Sequence, residues 1–118
     1  MSSKPFQAQV RKSANAAGTA TIDLHGEINS FAEDGMNAAY DEATGDDPSR
    51  IILNFTNVDY INSTGIALIV GLMARARKSR REMVVFGLSD HYVEIFEITR
   101  LADFMTIYPD EESALQAA

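Results

Sequence analysis

With 118 residues, 46% apolar and 23% charged, the chain has the length and composition of one globular domain spanning residues 1–118. A second core would leave each half near the ~40–60-residue floor for self-sufficient folding. The absence of Cys excludes disulfide staples, Cys-ligated zinc and thiol chemistry together. A net charge of −7, from 10 Lys and Arg against 17 Asp and Glu, disfavours direct nucleic-acid binding, which needs a dominant positive field.

The opening segment, Met1 to Phe6, carries no apolar signal core, and the longest apolar stretch, Ile66 to Ala74, is about half a membrane span. The expectation is a soluble, cytoplasmic domain without membrane insertion, and a Cys-free composition suits a reducing compartment.

In chain order, Gln7–Ser13 and Thr19–His25 read as two short strands. Ala20, Ile22 and Leu24 alternate with Thr21, Asp23 and His25, the period of a half-buried strand. Asn15-Ala16-Ala17-Gly18 supplies turn chemistry, so the pair is expected as an antiparallel hairpin. Gly26 to Ser30 breaks the alternation. A loosely helical pattern follows in Phe31, Met36, Ala39, Tyr40 and Ala43, with Ser30 as its expected cap and Glu33 at the third position. Gly45-Asp46-Asp47-Pro48 ends that helix. Ile51 to Phe55 is a continuous apolar strand of the kind buried on both faces, and Asn57 to Asn62 reads as a connecting loop.

Ser63-Thr64-Gly65 opens the strongest helix, with Ile66, Ile69, Val70, Met73 and Ala76 at helical spacing to about Ser79. Met83 to Phe86 is a further buried strand, closed by Gly87. Ser89 caps a helix from Asp90 to Ile98, with Val93, Phe96 and Ile98 inward. Phe104 to Tyr108 reads as a last strand, and Asp110-Glu111-Glu112 start a short final helix ending in Ala117-Ala118. Strands alternating with helices after residue 30 imply an α/β fold with parallel strand pairs joined by helical crossovers.

The chain lacks a P-loop, G-x-G-x-x-G, H-E-x-x-H and G-x-S-x-G, so no constellation supports an enzyme. His25 and His91 are a weak metal signal, and Asp46-Asp47 and Glu111-Glu112 read as solvated turn and cap residues; neither a metal nor a cofactor is expected. Residues 75–81 hold five of the ten bases. Such a run is either a site for an acidic partner or phosphate, or a solvated helix end set against the negative pole of the helix dipole.

One segment concentrates the functional signal: Asp59-Tyr60-Ile61-Asn62-Ser63-Thr64-Gly65-Ile66-Ala67-Leu68. Ser63 at a helix start is expected as the N-cap, a position that contributes ~0.5–2 kcal/mol. The same helix start presents free N–H groups and a positive dipole end to an anion. Gly65 costs ~1 kcal/mol against Ala within a helix, which makes sense where another backbone, a nucleotide or a phosphate must come close. Leu68 and Leu72 lie off the main apolar stripe and read either as packed residues or as an apolar strip beside Ser63 left for a partner.

These motifs carry a resemblance. Gly26-Glu27-Ile28-Asn29, then Ile51-Leu53-Asn54 leading to Val58-Asp59-Tyr60-Ile61-Asn62-Ser63-Thr64-Gly65, resembles the STAS domain of bacterial anti-sigma factor antagonists over about Val10 to Leu115. The resemblance implies a mixed four- to five-stranded sheet flanked by four helices. It also implies a phospho-regulated module that binds an anti-sigma factor serine kinase when unphosphorylated, with a metal-dependent serine phosphatase restoring binding. Carried over by position, the phosphorylated residue is Ser63, with Thr64 as the alternative hydroxyl and Asn62 and Gly65 adjoining the phosphate. The partner surface is expected from Glu27, Asn29, Ser30, Asp59 and Leu68. Asn62 and Asn29 stand where the family has Asp, which keeps an acceptor oxygen and removes a negative charge. The alternative role is a non-phosphorylated STAS subunit of a lipid- or anion-transport assembly.

Overall fold

The computed structural model describes residues 5–12 and 18–116. Five strands form one sheet in sequential order: β1 (Gln7–Lys12), β2 (Thr19–Ile28), β3 (Arg50–Ile61), β4 (Glu82–Phe86) and β5 (Thr106–Tyr108). β1 pairs antiparallel with β2, and every later neighbour pairs in parallel. The hairpin and the parallel pairs are those expected; Asn15, Ala16 and Ala17 lie outside the described residues, while Gly18 at the end of that turn has a positive φ of 81°.

The segment from Asn57 to Ile61, expected as a loop, continues β3. It stays paired with β2 through His25↔Asn57, Gly26↔Val58, Glu27↔Tyr60 and Ile28↔Ile61. Register shifts between Asp23 and His25 and between Gly26 and Glu27 interrupt the alternation. Pairing therefore persists where the period-two pattern is lost. β5 is shorter than expected, because Phe104 ends a 3-10 turn at Leu101–Asp103, its N–H bonded to the Leu101 carbonyl at 3.0 Å.

The helices are α1 (Glu33–Ala43), α2 (Ser63–Lys78), α3 (Asp90–Ile98) and α4 (Glu111–Gln116). Right-handed crossovers between strands in sequential order put α1, α2 and α3 on one face of the sheet. The main core lies there: Ile22, Leu24, Ile51, Leu53, Phe55, Met83 and Val85 meet Met36, Tyr40, Ile69, Leu72, Met73 and Phe96. The opposite face buries Ile52, Val84 and Phe86 against Ala114 of α4. Burial on both faces explains the unbroken apolar runs of β3 and β4.

Two helix faces differ from expectation. On α2 the buried positions are Gly65, Ile69, Leu72, Met73 and Ala76, whereas Val70 is 38% exposed and Ile66 half-buried. The apolar stripe is turned toward α1, which meets the Leu72 flank: Arg75 lies over the Tyr40 ring at 4.4 Å and bonds Asp41 at 2.6 Å. Leu72 is thus core rather than partner surface. On α3, Tyr92 and Phe96 point inward, Val93 is half-buried and Ile98, two residues past Phe96, is turned out to solvent. Ser89 caps α3 as expected, accepting from the Tyr92 N–H. The last described residue of the chain is Gln116, so the expected end at Ala117-Ala118 falls outside the description.

On the α4 face a polar ladder ties three strands and a helix together. Arg11 donates to both carboxylate oxygens of Asp23 at 2.6 and 2.9 Å and to Glu111 at 2.9 Å, and the Asn54 amide donates to Asp23 at 2.7 Å. Burial pushes the Asp23 carboxyl up, but the hydrogen bonds from Arg11 and Asn54 outweigh it and hold the group below its ordinary range.

Two outcomes follow from the packing. Ile69→Ala, at a fully buried position, should lower unfolding free energy by about 2–4 kcal/mol in urea denaturation, while Val70→Ala should change it by no more than about 0.5 kcal/mol. Asp23→Asn should cost about 1–2 kcal/mol near neutral pH. Because the folded carboxyl is held low, its contribution is complete above the unfolded value of about 3.9 and fades as pH falls through the folded one. The gap between wild type and Asp23→Asn should therefore close in acid, as read from melting curves across pH.

Candidate functional site

The site begins with a cap. Asn62, in extended conformation, accepts the Gly65 N–H on its side-chain oxygen at 2.8 Å, and its carbonyl accepts the Ile66 N–H at 2.9 Å. The N-cap of α2 is therefore Asn62, not Ser63 as expected. Asn62 takes the cap because it is the last extended residue before the helix, which places its side-chain oxygen, and not the Ser63 hydroxyl, against the third helical N–H. Ser63 becomes the first helical residue and is exposed, as is Thr64. At these two positions the backbone N–H groups have no intrahelical acceptor, and they stand at the positive end of a 16-residue helix.

Gly65 owes its identity to a backbone, not to a ligand. A Cβ there would run into the Ile28 carbonyl oxygen and stand 2.9 Å from the Ile28 carbonyl carbon and from Ile61 Cγ2. The helix start is thus docked on the end of β2, and Ile28 also accepts the Asn62 N–H at 3.2 Å. From the far side, the Tyr92 hydroxyl of α3 accepts the Ile61 N–H at 2.8 Å, pinning the end of β3.

The loop after β2 mirrors this design. Asn29 caps a 3-10 turn at Ser30–Ala32, its side chain accepting the Phe31 N–H at 2.9 Å. Ser30, expected to cap α1, lies instead inside this turn, and α1 follows from Glu33 with Ala32 at its N-cap and no side-chain cap. Ala32 is fully buried, while Phe31 projects into solvent, 91% exposed. The turn packs beside α2. Both positions at which Asn replaces the resembled family's Asp are helix caps, so the exchange keeps the cap and removes the charge.

The structure brings Asn29, Ser30, Asn62, Ser63 and Gly65 together around the Ile28 carbonyl. Glu27 is half-buried beside Tyr60, which is 53% exposed. Asp59 is exposed and lines an open cleft of about 500 Å³ with Pro5, Gln7, His25, Gly26, Thr56 and Asn57. Leu68, expected at the centre of the partner surface, is half-buried and packs against the main core. The exposed apolar group beside this helix start is Phe31, whose spacing predicts a place in the α1 stripe. Asn29 was the available signal, because a cap two residues earlier turns Phe31 into the first loop of helix rather than onto its inner face. His25 and His91 lie on different elements, and among the described residues no group of three or more His, Asp or Glu side chains is arranged to hold a metal.

The family model for the STAS domain matches residues 7–114. The chain belongs to the STAS domain family. An anti-sigma-B factor antagonist of Listeria monocytogenes is 33% identical over 86 residues, which are 73% of this chain and 75% of that protein. Among solved structures, an anti-sigma factor antagonist from Mycobacterium paratuberculosis superposes with a TM-score of 0.80 at 18% identity, covering 96% of this chain and 93% of that one. SpoIIAA of Bacillus in its phosphorylated form superposes with a TM-score of 0.67 at 22% identity, covering 91% and 96%. The mixed five-stranded sheet with four helices is the architecture that the resemblance implied.

The docking of α2 makes Gly65 the least replaceable residue of the site. Gly65→Ala should lower the unfolding free energy by roughly 2–3 kcal/mol, since the clash is with backbone and cannot be relieved by a side-chain rotation. Asn62→Ala should cost about 1 kcal/mol, and Asn62→Asp should be tolerated because it keeps the capping oxygen. Thermal unfolding of the three variants checks this order.

Proposed function

We propose that this STAS domain is a phospho-regulated interaction module of a bacterial partner-switching pathway, binding an anti-sigma factor serine kinase when Ser63 is unphosphorylated. The observation that carries the reading is the division of labour at the start of α2. Asn62 performs the capping, so the exposed hydroxyl of Ser63 is left without that structural duty. Support also comes from the antagonist role in the names of the similar proteins, and from a similar fold known in phosphorylated form. A metal-dependent serine phosphatase is the expected source of the reverse step, and Thr64 is the alternative acceptor.

The energetics place the effect on binding rather than on folding. A phosphate adds about −1.5 to −2 charges. At an exposed helix start it stays hydrated and meets the positive end of the dipole, a stabilisation of ~0.3–1 kcal/mol. Under a partner it would be stripped of water, and an unpaired buried charge costs several kcal/mol. A net loss of ~3–4 kcal/mol lowers affinity by a few hundredfold. The partner surface in this reading joins Ser63 to Glu27, Asn29 and Ser30, with exposed Phe31 as its apolar anchor and half-buried Leu68 at its inner edge. Aromatic side chains held on rigid turns are efficient anchors because little conformational freedom is lost on binding. No helix of the described residues is long and apolar enough to cross a membrane.

Ser63→Ala should bind the cognate kinase constitutively and resist modification. Ser63→Asp should bind at least about tenfold more weakly with its thermal midpoint nearly unchanged. Mass spectrometry after incubation with the kinase and ATP should place one phosphate on Ser63. A phosphate on Thr64 instead reassigns the residue, and none on either hydroxyl favours the non-phosphorylated subunit of a transport assembly.

A further inference from the structure

α2 is about 24 Å long, at 1.5 Å per residue over its 16 residues, so its two ends lie at opposite poles of the domain. The poles differ in charge. No Lys or Arg occurs between Lys12 and Arg50 or between Arg50 and Arg75. The pole at Ser63 therefore carries Glu27 and Asp59 on its strands and Glu33 and Asp34 directly after the exposed Phe31, with no base supplied by those segments.

The other pole holds Arg75, Arg77, Lys78, Arg80 and Arg81. Arg75 is bonded to Asp41 and Arg81 to Asp47. Among the described residues, Arg77, Lys78 and Arg80 have no carboxylate partner. Arg77 lies instead over the ring of Phe104 at 4.7 Å, and Phe104 is 48% exposed. Beside it runs an open groove of about 270 Å³ whose lining includes Arg81, Phe104 and Met105 and two acids already paired, Glu82 with Arg50 and Asp103 with Arg100.

The backbone adds an independent observation. α2 and α3 end at this pole, and each is followed by an arginine in the left-handed conformation, Arg80 with φ 59° and Arg100 with φ 67°. Glycine is the residue that suits such helix ends. Arg100 pairs with Asp103 at 2.9 Å, whereas Arg80 keeps a left-handed conformation with its charge unpaired among the described residues, which points to a use for that charge beyond ending a helix.

The basic pole thus presents the half-exposed Phe104 beside three bases without a carboxylate partner among the described residues, the Ser63 pole presents Phe31 beside Glu33 and Asp34, and the two are complementary. We propose that the basic pole of one copy of this chain receives the acidic pole of a second copy. Phe31 enters the groove beside Phe104, and Glu33 and Asp34 face Arg77, Lys78 and Arg80. The contact is heterologous and does not close on itself, so it builds short head-to-tail oligomers. Its charges are exposed, so it weakens as salt rises. A donor copy has Ser63 covered; that consequence rests on the phosphorylation reading, whereas the association does not.

Sedimentation velocity of the full chain up to about 1 mM tests the contact. The average size should rise with concentration in about 20 mM salt and return to monomer in about 500 mM. Phe31→Ser, and separately Arg77→Ser combined with Arg80→Gly, should each weaken association at least about tenfold. An equimolar mixture of those two variants keeps one intact donor pole and one intact acceptor pole, so it should form a one-to-one dimer and nothing larger. Arg80→Gly alone should keep or raise the thermal midpoint while weakening association. Monomer throughout at low salt, a dimer indifferent to both variants, or a mixture that fails to pair would each overturn the proposal. Phosphorylation of Ser63 is scored separately by mass spectrometry, so either reading can fail alone.

Discussion

The contact on which the rest of the site depends is the seating of the first turn of α2 on the last residue of β2. The Ile28 carbonyl accepts the Asn62 N–H, and the same carbonyl leaves no room for a side chain at Gly65. Once that approach is made, Asn62 is in place to cap the helix, and Ser63 must face outward as its first residue. Ile28 also precedes Asn29, whose cap sets the 3-10 turn that carries Phe31. Two short polar segments distant in sequence are thereby held at one point by a single carbonyl group. Tyr92 of α3 braces the arrangement through Ile61, so the hydroxyl of Ser63 is carried on a fixed support rather than on a loop. Groups carried on helices and strands hold their position more precisely than groups on loops.

Electrostatics gives the support its direction. The positive end of α2 lies under Ser63, yet the segments flanking it in space carry carboxylates and no bases. A phosphate at Ser63 would have the helix dipole and water as its partners, with no arginine from those segments to fold over it. Its influence therefore passes outward to whatever approaches the surface. Asn at positions 29 and 62 fits the same logic. Each provides the capping oxygen that the backbone requires without adding to the negative charge already gathered at this pole. The bases gather at the other end of α2, where Arg75 and Arg81 tie the helix to α1 and the following turn, and Arg77, Lys78 and Arg80 are left facing solvent.

The amino-acid sequence by itself determined the order and type of the elements. The runs Ile51 to Phe55 and Met83 to Phe86 can be stable only when buried on both faces, which calls for helices around a largely parallel sheet. Local signals such as Ser89 before Asp90 specified a helix start because capping acts over three residues. The motif around Ser63, read as a resemblance, also located the candidate hydroxyl. These features depend on neighbours in the chain, and neighbours in the chain are what a sequence displays.

What only the tertiary structure decided depends on partners far apart in the chain. The pairing of Glu27 with Tyr60 turned an expected loop into strand, because two register shifts erase the alternation while leaving the hydrogen bonds. The docking of α1 rotated the buried stripe of α2 from Val70 to Leu72. The choice between Asn62 and Ser63 as the cap rested on the extended backbone entering the helix, and the meaning of Gly65 rested on a carbonyl 37 positions earlier. Phe31 looked like core because its spacing matches a helix face. It became surface because Asn29 wound the chain into a 3-10 turn first, and a change in helical pitch moves a side chain to another side without altering a single residue.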